Sequence, residues 1–526
     1  MGNYPAEGAS RIVDMAAFGE ELCLGRSLKE REKSMENIPG MLIAAPTSGS
    51  GKTVAVCGLL GAFKGKGYRP AAFKCGPDYI DPLFHREVLG VESGNLDGFF
   101  QDRLSMEENV KNVIREGGGE FALVEGVMGY FDGTGKGGWK ASSWETAAWL
   151  DLPVVLVIDG RGSFLTAEAI LQGFMQFNPC WPKPLPDELK RPGNGIQAVI
   201  LNRVSKSTFL RLKPLIEERF NLPAAGYLPK MDWLSLESRH LGLMLPGEIK
   251  TLKELLARLS ETAVETIDLG LLLKIMGTSG LKRGKEKVEN PSLPSTGEKR
   301  LCIGVAWDQA FSFYYRENLR MIEELGGRLV WFSPLEDERL PEEIDGLLLG
   351  GGYPEAYAEK LSKNRSMAWS VKERAEKGMP VLAECGGFLY LQQQLMDTGG
   401  KLYPMAGFLP GIGTGPHGLK RFGYITLSPF EDGLYLKAGE QVRGHEFHYW
   451  DSDCCGELME AKKPESSRSW PCMIAKKRVM AGFPHLYYPS CPQIPRRFIE
   501  QCRIYHQEKE KKDGSSHDGR KGDFTG

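Results

Sequence analysis

Eleven cysteines occur in this chain, yet none forms a C-x-x-C pair and only Cys454 and Cys455 are adjacent. That absence removes the usual spacing of a zinc ribbon or an iron–sulfur cluster. Scattered thiols fit a reduced compartment better than a disulfide framework. An excess of one charge is missing too: 66 basic residues face 68 acidic ones, for a net charge of -2. No polyanion-binding surface is advertised, so a nucleic-acid partner is not expected. The longest apolar runs, such as 152–158, are far too short to cross a bilayer. The first residues set Arg11, Asp14, Glu20 and Glu21 around a short apolar stretch, without a signal core. A cytoplasmic protein with no membrane partner is expected.

What is present is an ordinary globular composition, 41% hydrophobic and 25% charged, in 526 residues. That length exceeds what one core supports, so two or more domains are expected. Residues 1–38 are mixed in charge and weakly patterned, a peripheral extension in which Met35, or Met41 just beyond it, is an alternative start. From there apolar strands alternate with helical stretches. Strands are expected at 41–45, 69–74, 121–125, 153–159, 196–202 and 224–228, and helices at 52–64, 144–150, 164–176 and 206–218. Continuous apolar strands separated by helices predict a parallel sheet covered on both faces. The proline-rich stretch 177–194 reads as a surface loop. Polar, basic and proline-containing residues 280–300 read as a linker between domains at 39–279 and 301–505. Past it, strands are expected at 301–306, 328–332, 346–349 and 381–384, with helices near 314–325 and 366–377. The fold class is therefore α/β, with two doubly wound, mainly parallel sheets. The polar tail 506–526 is expected to be disordered.

Two strings carry chemistry. Thr47, Ser48, Gly49, Ser50, Gly51, Lys52 and Thr53 follow an apolar strand and open a helix. Glycines let the backbone N–H groups turn inward, and the helix N-terminus adds partial positive charge, so a nucleotide phosphate is the natural guest. Lys52 then neutralises phosphate oxygens and the Thr53 hydroxyl is a Mg²⁺ ligand. Pro46 stands where the G-x-x-x-x-G-K-[ST] pattern asks for glycine. Further hard-oxygen ligands are sought among acids at or just beyond strand ends: Asp78, Asp81 and Glu125, with Asp132 in the glycine-rich loop 129–138. Thr53, Asp78 and Glu125 are the metal ligands expected.

The second string is Ala383-Glu-Cys385-Gly-Gly387, a cysteine between a strand and a helix. There the helix N-terminus is expected to lower the thiol pKa, and nearby N–H groups to form an oxyanion hole. A cysteine nucleophile wants a histidine base. Of 8 histidines, His445, His448 and His485 are the candidates, and pattern alone leaves the three open.

These strings, together with Phe73-Lys-Cys-Gly-Pro-Asp-Tyr-Ile-Asp-Pro82, Asn95-Leu-Asp97, Val124-Glu-Gly-Val-Met-Gly129, Arg239-His-Leu-Gly-Leu243, Asp308-Gln-Ala-Phe-Ser-Phe-Tyr-Tyr315, Gly350-Gly-Gly-Tyr-Pro-Glu355 and Gly444-His-Glu-Phe-His-Tyr449, resemble the cobyrinate a,c-diamide synthase family. The likeness runs over most of 40–490, and it accommodates Pro46, because that family's phosphate loop commonly reads Ala-Pro. It implies a dethiobiotin-synthetase-like ATP domain followed by a class I glutamine amidotransferase domain. The implied reaction is ATP- and Mg²⁺-dependent amidation of the a and c acetates of cobyrinate with ammonia from L-glutamine. Cys385 is implied as nucleophile and His485 as its base. The slot two residues after this histidine, often Glu in class I glutaminases, holds Tyr487, so a dyad is expected rather than a triad. Gly351 and Gly352 resemble the oxyanion-hole loop, and Tyr79, Ile80 and Asp81 stand where the family contacts its tetrapyrrole, with Asp132 grouped beside them. The same chemistry on hydrogenobyrinate or nickel sirohydrochlorin is the near alternative, and a partitioning or regulatory ATPase the distant one. A homodimer is the assembly entertained.

Overall fold

The computed structural model describes residues 37–134, 138–162, 165–180, 183–234, 246–283, 300–419 and 421–518. The N-terminal extension up to 36, the string at 239–243 and residues 284–299 of the expected linker lie outside the described residues.

The first half is a seven-stranded, all-parallel sheet. Its strands are β1 (Gly40–Ala44), β2 (Pro70–Cys75), β3 (Ser93–Leu96), β4 (Phe121–Glu125), β5 (Val154–Asp159), β6 (Ile196–Asn202) and β7 (Ala224–Leu228). They lie in the order β3-β2-β4-β1-β5-β6-β7. The central strands read GMLIA and FALVE and are buried throughout, as strands with helices on both faces must be. The chain winds to one side of β1, returns through β4, then crosses to β5 and continues outward on the other side. That reversal opens a crevice beyond the carboxyl end of β1, where doubly wound sheets hold ligands. The helix Lys52–Gly65 leaves β1 directly into this crevice. The helices Ser143–Trp149, Leu165–Gln176 and Lys206–Phe220 fall within two residues of their expected bounds. The strand β3 and the helices Arg103–Gly117 and Pro246–Thr266 were not expected, since polar or short segments gave no periodic signal. Residues 280–282 are not linker: Ile38 N donates to the Leu281 carbonyl at 2.8 Å, and Leu281 is buried in the first core.

The second half carries a six-stranded sheet containing β8 (Leu301–Ala306), β9 (Gly327–Phe332), β10 (Gly346–Leu349) and β11 (Val381–Glu384). The order is Ile474–Lys476, Val479–Gly482, β11, β10, β8, β9, parallel except at the first pair. A five-stranded antiparallel sheet lies alongside and pairs Val442–Phe447 with His485–Leu486. The tail segment is helical as far as Asp518 within the helix Gln493–Asp518, where disorder was expected. His506 reaches Asp345 at 2.8 Å and Glu508 pairs with Arg478 at 2.7 Å, so this part of the helix is tied to the sheet. Among the described residues, no helix is long and apolar enough to cross a membrane.

The two halves interlock through polar bonds and aromatic rings. Tyr424 OH donates to Asp97 at 2.7 Å, Gln101 Nε2 to Tyr487 OH at 3.0 Å, and Asn109 Nδ2 to Glu317 Oε1 at 2.5 Å. Arg316 pairs with both Glu92 and Glu116. Phe100 stacks on Tyr487 with ring centroids 4.9 Å apart, a contact of about 0.5–1.5 kcal/mol beyond area burial. Asn109 is buried, and Glu317 Oε2 already lacks a partner. Asn109→Ala therefore leaves a buried carboxyl unbonded across the interface, and should cost about 1–3 kcal/mol. Scanning calorimetry should show the melting transition lowered by several degrees.

Candidate active site

Beyond β1 the chain turns at Pro46 and exposes Thr47, Ser48 and Gly49, while Ser50 is buried. Gly51 sits at φ +101°, a left-handed conformation that suits glycine, and the helix starts at Lys52. A Cβ on Gly51 would lie 2.0 Å from Asn202 Nδ2, and that same amide donates to the Ser50 carbonyl at 2.8 Å. Asn202, the last residue of β6, is thus a brace under the loop that sequence reasoning missed. Lys52 Nζ is held by the carbonyls of Thr47 at 3.2 Å and Met128 at 2.5 Å. Burial, with the charge of Lys74 second, lowers its pKa to about 8. Asp132 accepts from Gly129 N at 3.1 Å and shapes the neighbouring loop.

Beside this loop two buried carboxylates, Asp81 and Glu125, gather about one ammonium. Lys74 is the register partner of Glu125 across β2 and β4, so their side chains share a face. Its Nζ lies 2.7 Å from Glu125 Oε1 and 2.5 Å from Asp81 Oδ2. Thr53 Oγ1 donates to Glu125 Oε1 at 2.6 Å. Burial disfavours the Lys74 charge, but Glu125 and Asp81 outweigh it and hold the ammonium well above its ordinary pKa. Burial likewise opposes the Asp81 charge, and Lys74 overcomes it, so Asp81 sits below the usual range. Asp78 is pushed up to about 7 by burial and then by the Asp81 charge. Its Oδ1 caps Ile80 N at 2.9 Å. The metal ligands expected from sequence therefore separate: Thr53 and Glu125 meet, whereas Asp78 caps a turn. Lys74, the centre of the cluster, had been quoted only as part of a string.

In the second half, β11 ends at Glu384 and Cys385 follows at φ +47°, ψ -102°, a strained conformation for a residue with a Cβ. A Cβ on Gly387 would fall 2.1 Å from the Leu349 carbonyl, and one on Gly386 2.9 Å from Pro354 Cδ. The sharp elbow therefore needs both glycines. Cys385 N donates to the Gly482 carbonyl at 2.7 Å, because β11 pairs with Val479–Gly482, and His485 follows three residues later. A Cβ on Gly351 would lie 2.3 Å from His485 Cε1, so the imidazole rests on the glycine loop 350–352. Gly352, next in that loop, could carry no Cβ either, the Ala310 carbonyl being 2.1 Å away. His448 is occupied: Nε2 meets Glu446 at 2.8 Å and Nδ1 meets the Trp450 carbonyl at 2.5 Å. His445 is the register partner of His485 on the neighbouring strand.

The expected thiolate is not what this environment favours. Burial, then the charges of Glu355 and Glu446, drives the Cys385 thiol far up. The helix it caps, Gly386–Leu391, is six residues long and offers little opposing dipole. Burial, with His448 second, lowers His485 to about 3, so thiol and imidazole are both neutral. Neutral imidazole is the form that takes a proton.

The two sites meet. Tyr79, from the first half, lies 5.2 Å from the His485 ring centroid and stacks on Phe313 at 5.4 Å. Tyr315 OH donates to the Pro77 carbonyl at 3.3 Å. One segment, 77–81, thus has Asp81 in the carboxylate cluster and Tyr79 over His485. Ile80, partly buried, packs beside Phe84 and Val88.

Residues 41–243 match the family described as CobQ/CobB/MinD/ParA nucleotide binding domain, and 302–490 the CobB/CobQ-like glutamine amidotransferase domain. A cobyrinate a,c-diamide synthase of Caldanaerobacter subterraneus subsp. tengcongensis is 36% identical over 469 residues, 88% of this chain and 98% of the relative. The Listeria innocua protein of that name is 37% identical over 462 residues, 86% and 97% of the two chains. That of Clostridium tetani is 37% identical over 465 residues, 88% and 99%.

Gly51→Ala forces a strained φ and a collision with Asn202 at a single point. The variant should fold, yet bind ATP at least tenfold more weakly by isothermal titration.

Proposed function

Since the chain belongs to the cobyrinate a,c-diamide synthase family, we propose that it amidates the a and c acetate carboxylates of cobyrinate with ammonia from L-glutamine, at the expense of ATP, in cobalamin biosynthesis. It is a glutamine-dependent, amide-forming ligase. The observation that carries the reading is one segment, 77–81, that joins the Lys74 carboxylate cluster beside the phosphate loop to His485 in the second half. A partitioning ATPase has no use for the second half.

A carboxylate is a poor acyl donor, so the first half transfers the γ-phosphoryl of ATP to it and creates a leaving group. The loop amides of 48–53 and Lys52 face the phosphates, Lys52 exchanging its carbonyl partners for phosphate oxygens. Thr53 and Glu125 fit a magnesium ion: both are hard oxygen donors, they touch, and Glu125 Oε2 is buried without a partner. Among the described residues no set of three His, Cys, Asp or Glu side chains forms a metal cage. An ion held by Thr53 and Glu125 would neutralise phosphate charge. Asp81, Asp132 and Tyr79 are assigned to the macrocycle carboxylate on the strength of the family resemblance.

In the second half Cys385 Sγ attacks the glutamine amide carbon while His485 takes the thiol proton and passes it to the departing nitrogen. The oxyanion faces the backbone N–H groups of the loop holding Gly351 and Gly352. Ammonia leaves, and water cleaves the thioester to glutamate. Coupled proton transfer spares the enzyme a buried thiolate, which matches two groups that are neutral at rest. The reading places the enzyme in the cytoplasm, where ATP and glutamine abound, and the ten described cysteines are all free thiols.

Cys385→Ala should abolish glutamate release, a loss of about 10³-fold or more, yet still amidate with ammonium chloride. Lys52→Ala should lose amidation with either nitrogen source. Incubation with ATP, glutamine and cobyrinate, hydrogenobyrinate or nickel sirohydrochlorin, read by mass, should show two successive amidations on cobyrinate. A clear preference for another macrocycle would reassign the substrate.

A further inference from the structure

The glutaminase half leaves one question that its sequence did not answer: what fixes the imidazole of His485. Tyr487, in the slot where a carboxylate would be sought, is committed elsewhere. Its hydroxyl accepts from Gln101 and its ring stacks on Phe100, both across the domain interface. The Nδ1 of His485 is buried and has no hydrogen-bond partner. A buried polar atom without a partner costs about 1–3 kcal/mol, so a nearby acceptor is favoured to close on it. One acceptor stands there. Glu384 Oε2 lies 3.8 Å from Nδ1, and its other oxygen, Oε1, accepts from Leu486 N at 3.3 Å. The carboxyl is therefore anchored to the residue following His485, and a movement of about 1 Å makes the missing bond.

Resting on the glutaminase reading above, we propose that Glu384 is the positioning residue of this half: it holds the Nδ1–H tautomer of His485 and turns Nε2 toward Cys385. The residue before the nucleophile thereby takes the part usually given to one after the histidine. A carboxylate accepting from Nδ1–H leaves the Nε2 lone pair free for the thiol proton, and then faces the imidazolium that forms. The geometry follows from the strand ends. Glu384 closes β11, its register partner is Gly482, and His485 begins the next short strand. Carboxyl and imidazole therefore project from adjoining strand ends.

The groups facing Glu384 are His485 and Tyr488 from the late segment, Tyr314 and Tyr315 from the loop after β8, Tyr79 from the first half, and its neighbour Cys385. No lysine or arginine is among them. Burial pushes the Glu384 carboxyl up to about 8. Its charge, and with it the productive tautomer, grows as pH rises through that value. Glutamine hydrolysis should rise with it.

The test compares the full-length chain with E384Q and E384D, using glutamine, MgATP and cobyrinate. E384Q should lower kcat for glutamine hydrolysis on the order of 10²-fold, change KM for glutamine less than about twofold, and lose the rise near pH 8. E384D should recover part of kcat and retain a rise. Amidation with ammonium chloride should stay at the wild-type rate in both, which reports an intact fold. Two results overturn the proposal. One is E384Q within about threefold of wild type with its pH rise intact. The other is a parallel fall of the ammonium-driven reaction, which marks a structural role. C385A is run alongside: if it still releases glutamate, the glutaminase reading fails and takes this one with it. A dead C385A beside a fully active E384Q overturns the role of Glu384 alone.

Discussion

One buried ammonium organises the first active centre. Lys74 lies between Glu125 and Asp81, with Thr53 bonded to the far side of the same Glu125 oxygen. Two carboxylates without it would repel each other in a medium that screens poorly, and removing one partner of such a cluster typically costs several kcal/mol. The cation also fixes directions. It ties the phosphate-loop helix, through Thr53 and Glu125, to the start of the helix Ile80–Glu87, through Asp81. Whatever changes the charge at Thr53 and Glu125 is felt two bonds later at Asp81.

From Asp81 the chain runs two residues back to Tyr79, whose ring covers His485. The two candidate sites are thus joined by one short segment. That arrangement suits a reaction in which ammonia must reach its acceptor unprotonated. The surrounding rings, Phe99, Phe100, Tyr315, Tyr424 and Tyr487, pack together at the junction, and the bonds Tyr424 to Asp97 and Asn109 to Glu317 fix its register. The apolar surroundings explain the unusual ionisation of the second centre. Burial keeps Cys385 and His485 uncharged, so in the proposed mechanism the nucleophile is created by proton transfer during attack and not beforehand.

Much of this was legible in the sequence. The parallel α/β order followed from continuous apolar strands between helical stretches, and the helix bounds fell within two residues in most cases. The phosphate loop and the cysteine elbow are local devices, set by a few consecutive glycines whose Cβ atoms would collide. The resemblance carried by ordered strings selected His485 where spacing left three histidines open. In the structure both nitrogens of His448 are already bonded, while His445 lies in register beside His485. The antiparallel sheet around Val442–Phe447 and the helical tail left weaker traces, since short alternating strands and polar helices resemble loops in composition.

The sequence by itself determined the local conformations and the inventory of reactive groups, because turns, caps and strand periodicity depend on neighbours within a few residues. Only the tertiary structure decided which groups touch. Lys74 and Glu125 are 51 positions apart and Glu384 and His485 are 101, so each pairing exists only through strand register. Register also decided the protonation states. A thiol at a helix start reads as activated from its neighbours in sequence, whereas burial beneath rings and carboxyls from distant segments makes it neutral. Desolvation is a property of everything packed around a group, and that surrounding is assembled only when the chain has folded.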